Sequence, residues 1–458
     1  MSNVFHSPHT LKNLRVTVLG LGRFGGGVGV TKWLCRQGAK VTVSDALAAD
    51  QLADSVLALA GCDATLHLGL HDDADFTQAD FLVVNPAVPK ESPLLALAAT
   101  AGVPRTSEIN LFIERCPATI VGITGSVGKS TTTAMVGRIL AKRFTTHVGG
   151  NIGGSLLQTL DQIQSNHVVV LELSSFQLED LPIIGISPHI ALVTNLKPNH
   201  LDRHGTMQAY GDAKKNLFAF QKPSDVLILN AADEPTRAWA ADAPGRVEYF
   251  DPTIAASASF SGRRHDGLPA AQSDLFELTV PGAHNQGNAQ AAFAVAREMG
   301  IDRPTAQEAL RDFPGLPHRL QFVCEREGVR YYNDSKCTTP EGAIVALEAF
   351  APGKAVIIVG GYDKHVSFEA MGKSLAARAK AVIAIGATKD QIVTAVEQAS
   401  STKQPVIVKC ETFADAVAAA QAIAASGDAV LLSPACASYD MFQNYEKRGE
   451  LFVELVTK

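Results

Sequence analysis

The stretch ATIVGITGSVGKSTTTAMVGRIL (118–140) decides the fold. Residues 118–124 form an apolar, β-branched run that reads as a buried strand. From Ser130 to Phe144 the apolar residues Met135, Val136, Ile139 and Leu140 recur at helical spacing. Between them lies Gly125-Ser-Val-Gly128-Lys129-Ser130-Thr131. Strand, Gly-rich turn, Lys-Ser-Thr and helix together make a phosphate loop. The glycines let backbone N–H groups face an anion, and the helix start adds its positive dipole end. Lys129 can neutralise phosphate charge and the Ser130 hydroxyl can bind Mg²⁺. The loop is a variant, since only two residues separate Gly125 from Gly128 where the usual pattern has four. A Gly-rich turn without a ligand is the plainer alternative.

Outward from this loop, strand candidates alternate with helical stretches on both sides. Residues 15–19, 41–44 and 81–84 precede it. Residues 168–173, 190–194 and 226–230 follow, with a helix over 285–299. A third series comprises 355–359, 381–385, 406–408 and 429–432. Such alternation predicts parallel βαβ units. Asp312–Pro317 (DFPGLP) reads as a linker, and residues 251–274 as a loop or loose β-excursion. The fold class is therefore α/β in three domains: a Rossmann-like N-terminal domain (1–112), a P-loop-type central ATPase domain (113–314) and a Rossmann-like C-terminal domain (315–458). The 458-residue length agrees with about three domains.

Composition narrows the function. With 40 Lys and Arg against 46 Asp and Glu, the net charge is −6, which disfavours broad nucleic-acid binding. Seven cysteines, none in a CxxC pair, argue against a secreted disulfide framework or a zinc site. The start, MSNVFHSPHTLKN, lacks the apolar core of a signal peptide, and no uncharged apolar run reaches the length of a membrane span. A cytoplasmic protein is expected.

Other residues carry candidate chemistry. Gly20-Leu21-Gly22-Arg23-Phe24-Gly25 follows a strand and Asp45 ends the next, a dinucleotide-type fingerprint. Rossmann-like architecture without a dinucleotide fits equally. Glu172, at a strand end, stands where an Mg²⁺ ligand belongs; a surface acid is the alternative. His200 lies in a polar loop. Lys214 and Lys215 read by default as a solvated helix face. Asn333–Thr338, Gly360–Lys364 and Ser433–Ser438 sit at strand ends, where ligands collect in open α/β sheets, or are plain turns.

In order along the chain, GITGSVGKSTTT, GGNIG (149–153), LELSSFQLE, NHLDRHG with YGDAKK, HNQGNAQAA, GLPHR, NDSK and LSPACASYDMFQNYEKRG resemble the motifs of the Mur ligase family. The ending is most similar to the branch that adds glutamate. The resemblance implies an ATP-dependent acid–amino-acid ligase joining D-glutamate to UDP-N-acetylmuramoyl-L-alanine through an acyl phosphate. That is a step of cytoplasmic peptidoglycan precursor synthesis, and so of cell-wall biogenesis, cell shape and cell division.

By resemblance, ATP and Mg²⁺ meet Gly125, Gly128, Lys129, Ser130 and Thr131, with Asn288, Arg319 and Asp334 on adenine, phosphate and ribose. Glu172 ligates the first Mg²⁺ and His200 a second, and Ser130 and Lys214, the last as a carbamate, also face metal. Lys336 steers the acyl phosphate. Gly20–Gly25 (Leu21, Arg23 and Phe24 included), Asp45, Asn151 and Gln177 face the UDP substrate. Thr338, Lys364, Ser438 and Tyr445 face the amino acid. Val127, Leu47 and Tyr445 stand where the family often has Asn, Arg and Phe. Domain closure and a monomer are expected, and the choice between D- and L-glutamate stays open. Two other readings compete, an NAD-dependent dehydrogenase using the first Gly-rich loop and a non-catalytic nucleotide-binding protein.

Overall fold

The computed structural model describes residues 11–22, 25–252, 275–399 and 404–458. Arg23, Phe24 and the 253–274 excursion lie outside them. The chain forms two compact units. One holds residues 11–252 and Asn288–Ala306, the other 275–287 and Gln307–Lys458.

The first unit carries two parallel sheets. In the first, the order is Ala64–Leu68, Lys40–Asp45, Arg15–Leu19, Phe81–Val84, Arg105–Thr106. Strand order reverses at Arg15–Leu19, whose C-terminal end runs into the Gly20 loop. That is the switch point where open α/β sheets bind ligands. In the second, Arg246–Phe250, Val226–Asn230, Ile190–Val193, Thr119–Thr124, Val168–Glu172 and Thr146–Gly150 lie in that order. Thr119–Thr124 is central and the phosphate loop leaves its C-terminal end. Its neighbours end at Glu172 and Val193, so three strand ends converge there. One apolar core, containing Val18, Trp33, Leu111, Phe112, Ile120, Leu171 and Phe218, runs through both sheets. Burying each such side chain is worth roughly 1.5–3 kcal/mol, which holds the strand ends in place.

Several polar contacts join the loops of the two sheets. Asp180 pairs with Lys90 at 2.6 Å and its carbonyl accepts from Asn110 Nδ2 at 2.7 Å. Arg203 donates to the carbonyls of Pro86, Ala87 and Val88 at 2.8, 3.2 and 3.0 Å while lying over the Phe176 ring.

The second unit carries one six-stranded sheet in the order Gln321–Arg326, Val329–Asn333, Ala429–Leu432, Ala355–Val359, Ala379–Ala384, Val406–Lys409. Only Gln321–Arg326 is antiparallel. Strand ends at Asn333, Val359 and Leu432 lead into three loops proposed to bind ligands. No helix among the described residues is long and apolar enough to cross a membrane.

Candidate active site

In the first unit the phosphate loop is built by backbone demands. Gly128 caps the helix Lys129–Leu140 at φ 86°, and Gly125 has φ 144°. A Cβ on Gly125 would stand 1.9 Å from Thr194 Oγ1, and one on Gly128 2.5 Å from Asn288 Oδ1. Only glycine fits either place. Gly125→Ala should therefore lose ATP affinity at least tenfold and destabilise the unit by about 1–3 kcal/mol, from strain plus clash. ATP titration and thermal melting check both. The turn is pinned from below. Val127 N donates to Asn195 Oδ1 at 3.0 Å, and its carbonyl accepts from Thr194 Oγ1 and Asn195 Nδ2. The Val127 side chain is 63% exposed, so its departure from Asn leaves the backbone of the loop intact.

Four of the singled-out side chains meet at the mouth of this loop. Lys129 Nζ donates to the Ser126 carbonyl at 3.1 Å. Glu172 is 1% exposed, and its Oε1 accepts from Asn151 Nδ2 at 3.0 Å. Its Oε2 is buried without a hydrogen-bond partner among the described residues. Lys214, the residue read by default as solvated, is 1% exposed. Its Nζ donates to the Gly125 carbonyl at 2.9 Å and lies 4.5 Å from the centre of the Tyr210 ring. Burial, followed by repulsion from Lys129, lowers its pKa to about 7 against the pull of Glu172. His200 has φ 52° and packs edge-on against Phe176. Burial, then Lys129, lowers its pKa, keeping the ring neutral and able to ligate.

A buried carboxylate oxygen with no donor is the kind of hard ligand Mg²⁺ takes. Among the described residues no three His, Cys, Asp or Glu side chains cluster. That suits Mg²⁺, which is usually held by one or two carboxylates plus substrate phosphates. The Glu172 oxygen suits one Mg²⁺ and the neutral His200 ring a second. Asn288 lies beside Gly128, its Oδ1 accepting from Thr132 Oγ1 at 3.3 Å. Gln177 closes a capping box with Ser174.

At the first Gly-rich loop, Asp45 is buried and faces inward. Its Oδ2 accepts from Gly22 N at 3.1 Å and its Oδ1 from Leu47 N at 2.9 Å. It thus fixes the loop's shape, and Leu47 packs against the core. The Leu21 side chain is fully buried, leaving only its backbone to offer a ligand. Asn85, not anticipated from the sequence, packs 2.9 Å from where a Gly20 Cβ would stand.

In the second unit, Asp334 is buried and accepts from Leu320 N and Ser433 Oγ at 3.1 and 2.7 Å. Burial raises its pKa to about 6, with Arg319 opposing. Lys336 Nζ lies 5.7 Å from the Tyr445 ring, and His318 packs edge-on to the same ring. Arg319, Asp334, Lys336 and Tyr445 thus share one region. Thr338 is half-buried, Lys364 exposed and Ser438 buried. Leu320 and His318 both hold positive φ, at 41° and 60°. For non-glycine residues this is strain of the kind kept at ligand sites. The sequence singled out the turn that begins at Ser433 but gave Ser433, His318 and Arg448 no role of their own.

Family models match nearly all of this architecture. The Mur ligase MurD-like N-terminal domain matches residues 14–107, the Mur ligase middle domain 123–296, and the Mur ligase glutamate ligase domain 318–436. The chain belongs to the Mur ligase family. Among its relatives, the UDP-N-acetylmuramoylalanine--D-glutamate ligase of Roseiflexus sp. (strain RS-1) is 41% identical, over 97% of this chain and 99% of that protein. The ligase of the same name from Symbiobacterium thermophilum is 39% identical over 96% and 97%. The solved structure of UDP-N-acetylmuramate-alanine ligase from Thermotoga maritima covers 97% of this chain and 99% of its own, with a TM-score of 0.58 and 20% identity, a likeness of fold.

Proposed function

We propose that this protein is an ATP-dependent ligase that adds D-glutamate to UDP-N-acetylmuramoyl-L-alanine. The observation carrying this reading is the buried Glu172 oxygen, without a hydrogen-bond partner among the described residues, set beside Lys129 and Lys214 at a phosphate loop. Full-length similarity to ligases of that name supports the choice of substrates. A dehydrogenase would leave these groups without a task.

In this reading the substrate's terminal carboxylate attacks the γ-phosphorus of ATP, ADP leaves, and an acyl phosphate forms. The amine of glutamate attacks the acyl carbon, and inorganic phosphate leaves. Lys129 and the helix N-terminus balance charge on the phosphates, and Gly125, Gly128, Ser130 and Thr131 shape the cradle. Two Mg²⁺ ions, one on Glu172 and a second on His200, with Ser130 and the carbamate of Lys214 also facing metal, would supply further positive charge there. Lys214, neutral in part at pH 7, adds CO₂: its nitrogen lone pair forms the N–C bond, a proton leaves, and a carbamate anion results. Asn288, Arg319 and Asp334 hold the rest of ATP, and Lys336 steers the acyl phosphate. Gly20–Gly25, Asp45, Asn151 and Gln177 serve the UDP substrate. Thr338, Lys364, Ser438 and Tyr445 serve the amino acid. The domains run 1–112, 113–314 and 315–458, the protein acts in the cytoplasm, and it is a monomer.

A coupled phosphate-release assay tests this. Release should require ATP, UDP-N-acetylmuramoyl-L-alanine and D-glutamate together, and L-glutamate should give less than a tenth of the rate. Equal release with ATP alone overturns the ligase reading, and equal rates with both enantiomers overturn the choice of D-glutamate.

A further inference from the structure

Arg448 has no place in the chemistry above, yet it is 3% exposed in the first turn of the helix Tyr445–Thr457. An arginine is rarely buried without a carboxylate. Among the described residues, each hydrogen bond of this one goes to an uncharged acceptor, while Asp440 attracts it without a hydrogen bond. Nε donates to Ser335 Oγ at 3.0 Å, and one terminal nitrogen to the Ser335 carbonyl at 2.8 Å and the Cys436 carbonyl at 3.1 Å. The other donates to the Ala437 carbonyl at 3.3 Å.

These acceptors belong to the loops proposed to bind the amino acid. Ser335 precedes Lys336 and lies three residues before Thr338. Cys436 and Ala437 lead to Ser438. Ser335 Oγ in turn donates to the Tyr445 carbonyl at 2.8 Å. The third loop, which carries Lys364, is tied in by packing. A Cβ on Gly361 would lie 3.3 Å from the guanidinium and 2.4 Å from the Ala437 carbonyl, and Tyr362 N donates to that carbonyl at 2.9 Å. Lys364 follows two residues on. Ala435 has φ 63°, a conformation an alanine keeps only where its surroundings enforce it.

We infer that Arg448 is the positioning residue of the amino-acid site, one planar fork fastening the four segments that carry Thr338, Lys364, Ser438 and Tyr445. It touches no substrate. Burial lowers its pKa to about 10, so it stays charged at neutral pH beneath a site for a dicarboxylic amino acid. A lysine has the charge but lacks the fork, and cannot reach Ser335 and both carbonyls together.

The inference rests on the proposed ligase activity, so the parent enzyme is assayed first. No D-glutamate-dependent phosphate release by the parent overturns both. With an active parent, Arg448→Lys and Ser335→Ala are compared by KM for D-glutamate, KM for UDP-N-acetylmuramoyl-L-alanine and thermal melting. Arg448→Lys should raise the glutamate KM at least tenfold and Ser335→Ala about threefold or more, each leaving the UDP-substrate KM within twofold. A merely structural arginine would lower the melting temperature and the active fraction and leave both KM values alone, which overturns the inference while sparing the ligase reading. If Arg448→Lys does not fold, Ser335→Ala decides: an unchanged glutamate KM in that variant is equally fatal.

Discussion

Glu172→Gln should lower the rate of phosphate release by about 10²–10³-fold, the scale of deleting one fixed electrostatic group from a reaction centre. The same change should leave the melting temperature unchanged or raise it. Both halves follow from one geometry. The glutamine carbonyl can still accept the Asn151 hydrogen bond at 3.0 Å. What disappears is a negative charge whose second oxygen is buried with no donor among the described residues. Such a charge costs folding free energy and is retained where a ligand repays the cost. The cation dependence should change too, with more Mg²⁺ needed for half-maximal rate. Steady-state rates, an Mg²⁺ titration and a melting curve on one preparation check all three. A variant that melts well below the parent, with its lost activity tracking lost fold, would make Glu172 structural.

How much of this could be read from the sequence follows from where each element lies. The central strands were legible because both of their faces are buried. Thr119–Thr124, Val168–Glu172 and Ala355–Val359 are nearly continuous apolar runs. Of the edge strands, Val406–Lys409 was legible and most others were not. Ala64–Leu68 (ATLHL), Thr146–Gly150 (THVGG) and Arg246–Phe250 (RVEYF) mix polar residues or glycine into half-exposed strands, and the antiparallel edge Gln321–Arg326 reads as polar. The phosphate loop was legible because its glycines are demanded by backbone conformation. Burial of a charged residue was not legible. Nothing local separates Lys214 from Lys215, yet one is enclosed and the other pairs with Asp242 at 2.7 Å. Only its match to a family motif singled Lys214 out. Arg448 shows the same limit, since its acceptors lie 11–113 residues away in sequence.

Lys214→Ala should lose about 10²–10³-fold in rate, and millimolar formate or acetate should restore part of it. The cavity left by the side chain admits a small carboxylate, whose oxygens replace those of a carbamate. Carbamylation requires the neutral amine, and the buried amine with a pKa of about 7 meets that need near neutrality. An exposed lysine, near 10.4, would be almost wholly charged there. Activity dependent on CO₂ should accordingly fall as pH drops through about 7, where the amine becomes protonated. With ¹³CO₂, the parent should show a carbamate carbon signal at pH 8 that Lys214→Ala lacks. The stability sign is opposite to that of a salt-bridged lysine. The folded pKa is depressed below the unfolded value, so the residue destabilises fully below about pH 7. The penalty fades as pH rises toward about 10.4. Lys214→Met, of similar length and uncharged, should therefore melt no lower than the parent at pH 7 while remaining inactive and unrescued, its cavity being filled. Full activity in either variant would remove Lys214 from the reaction. Loss of activity in Lys214→Ala without rescue, together with no carbamate signal in the parent, would leave it a positively charged phosphate contact and nothing more.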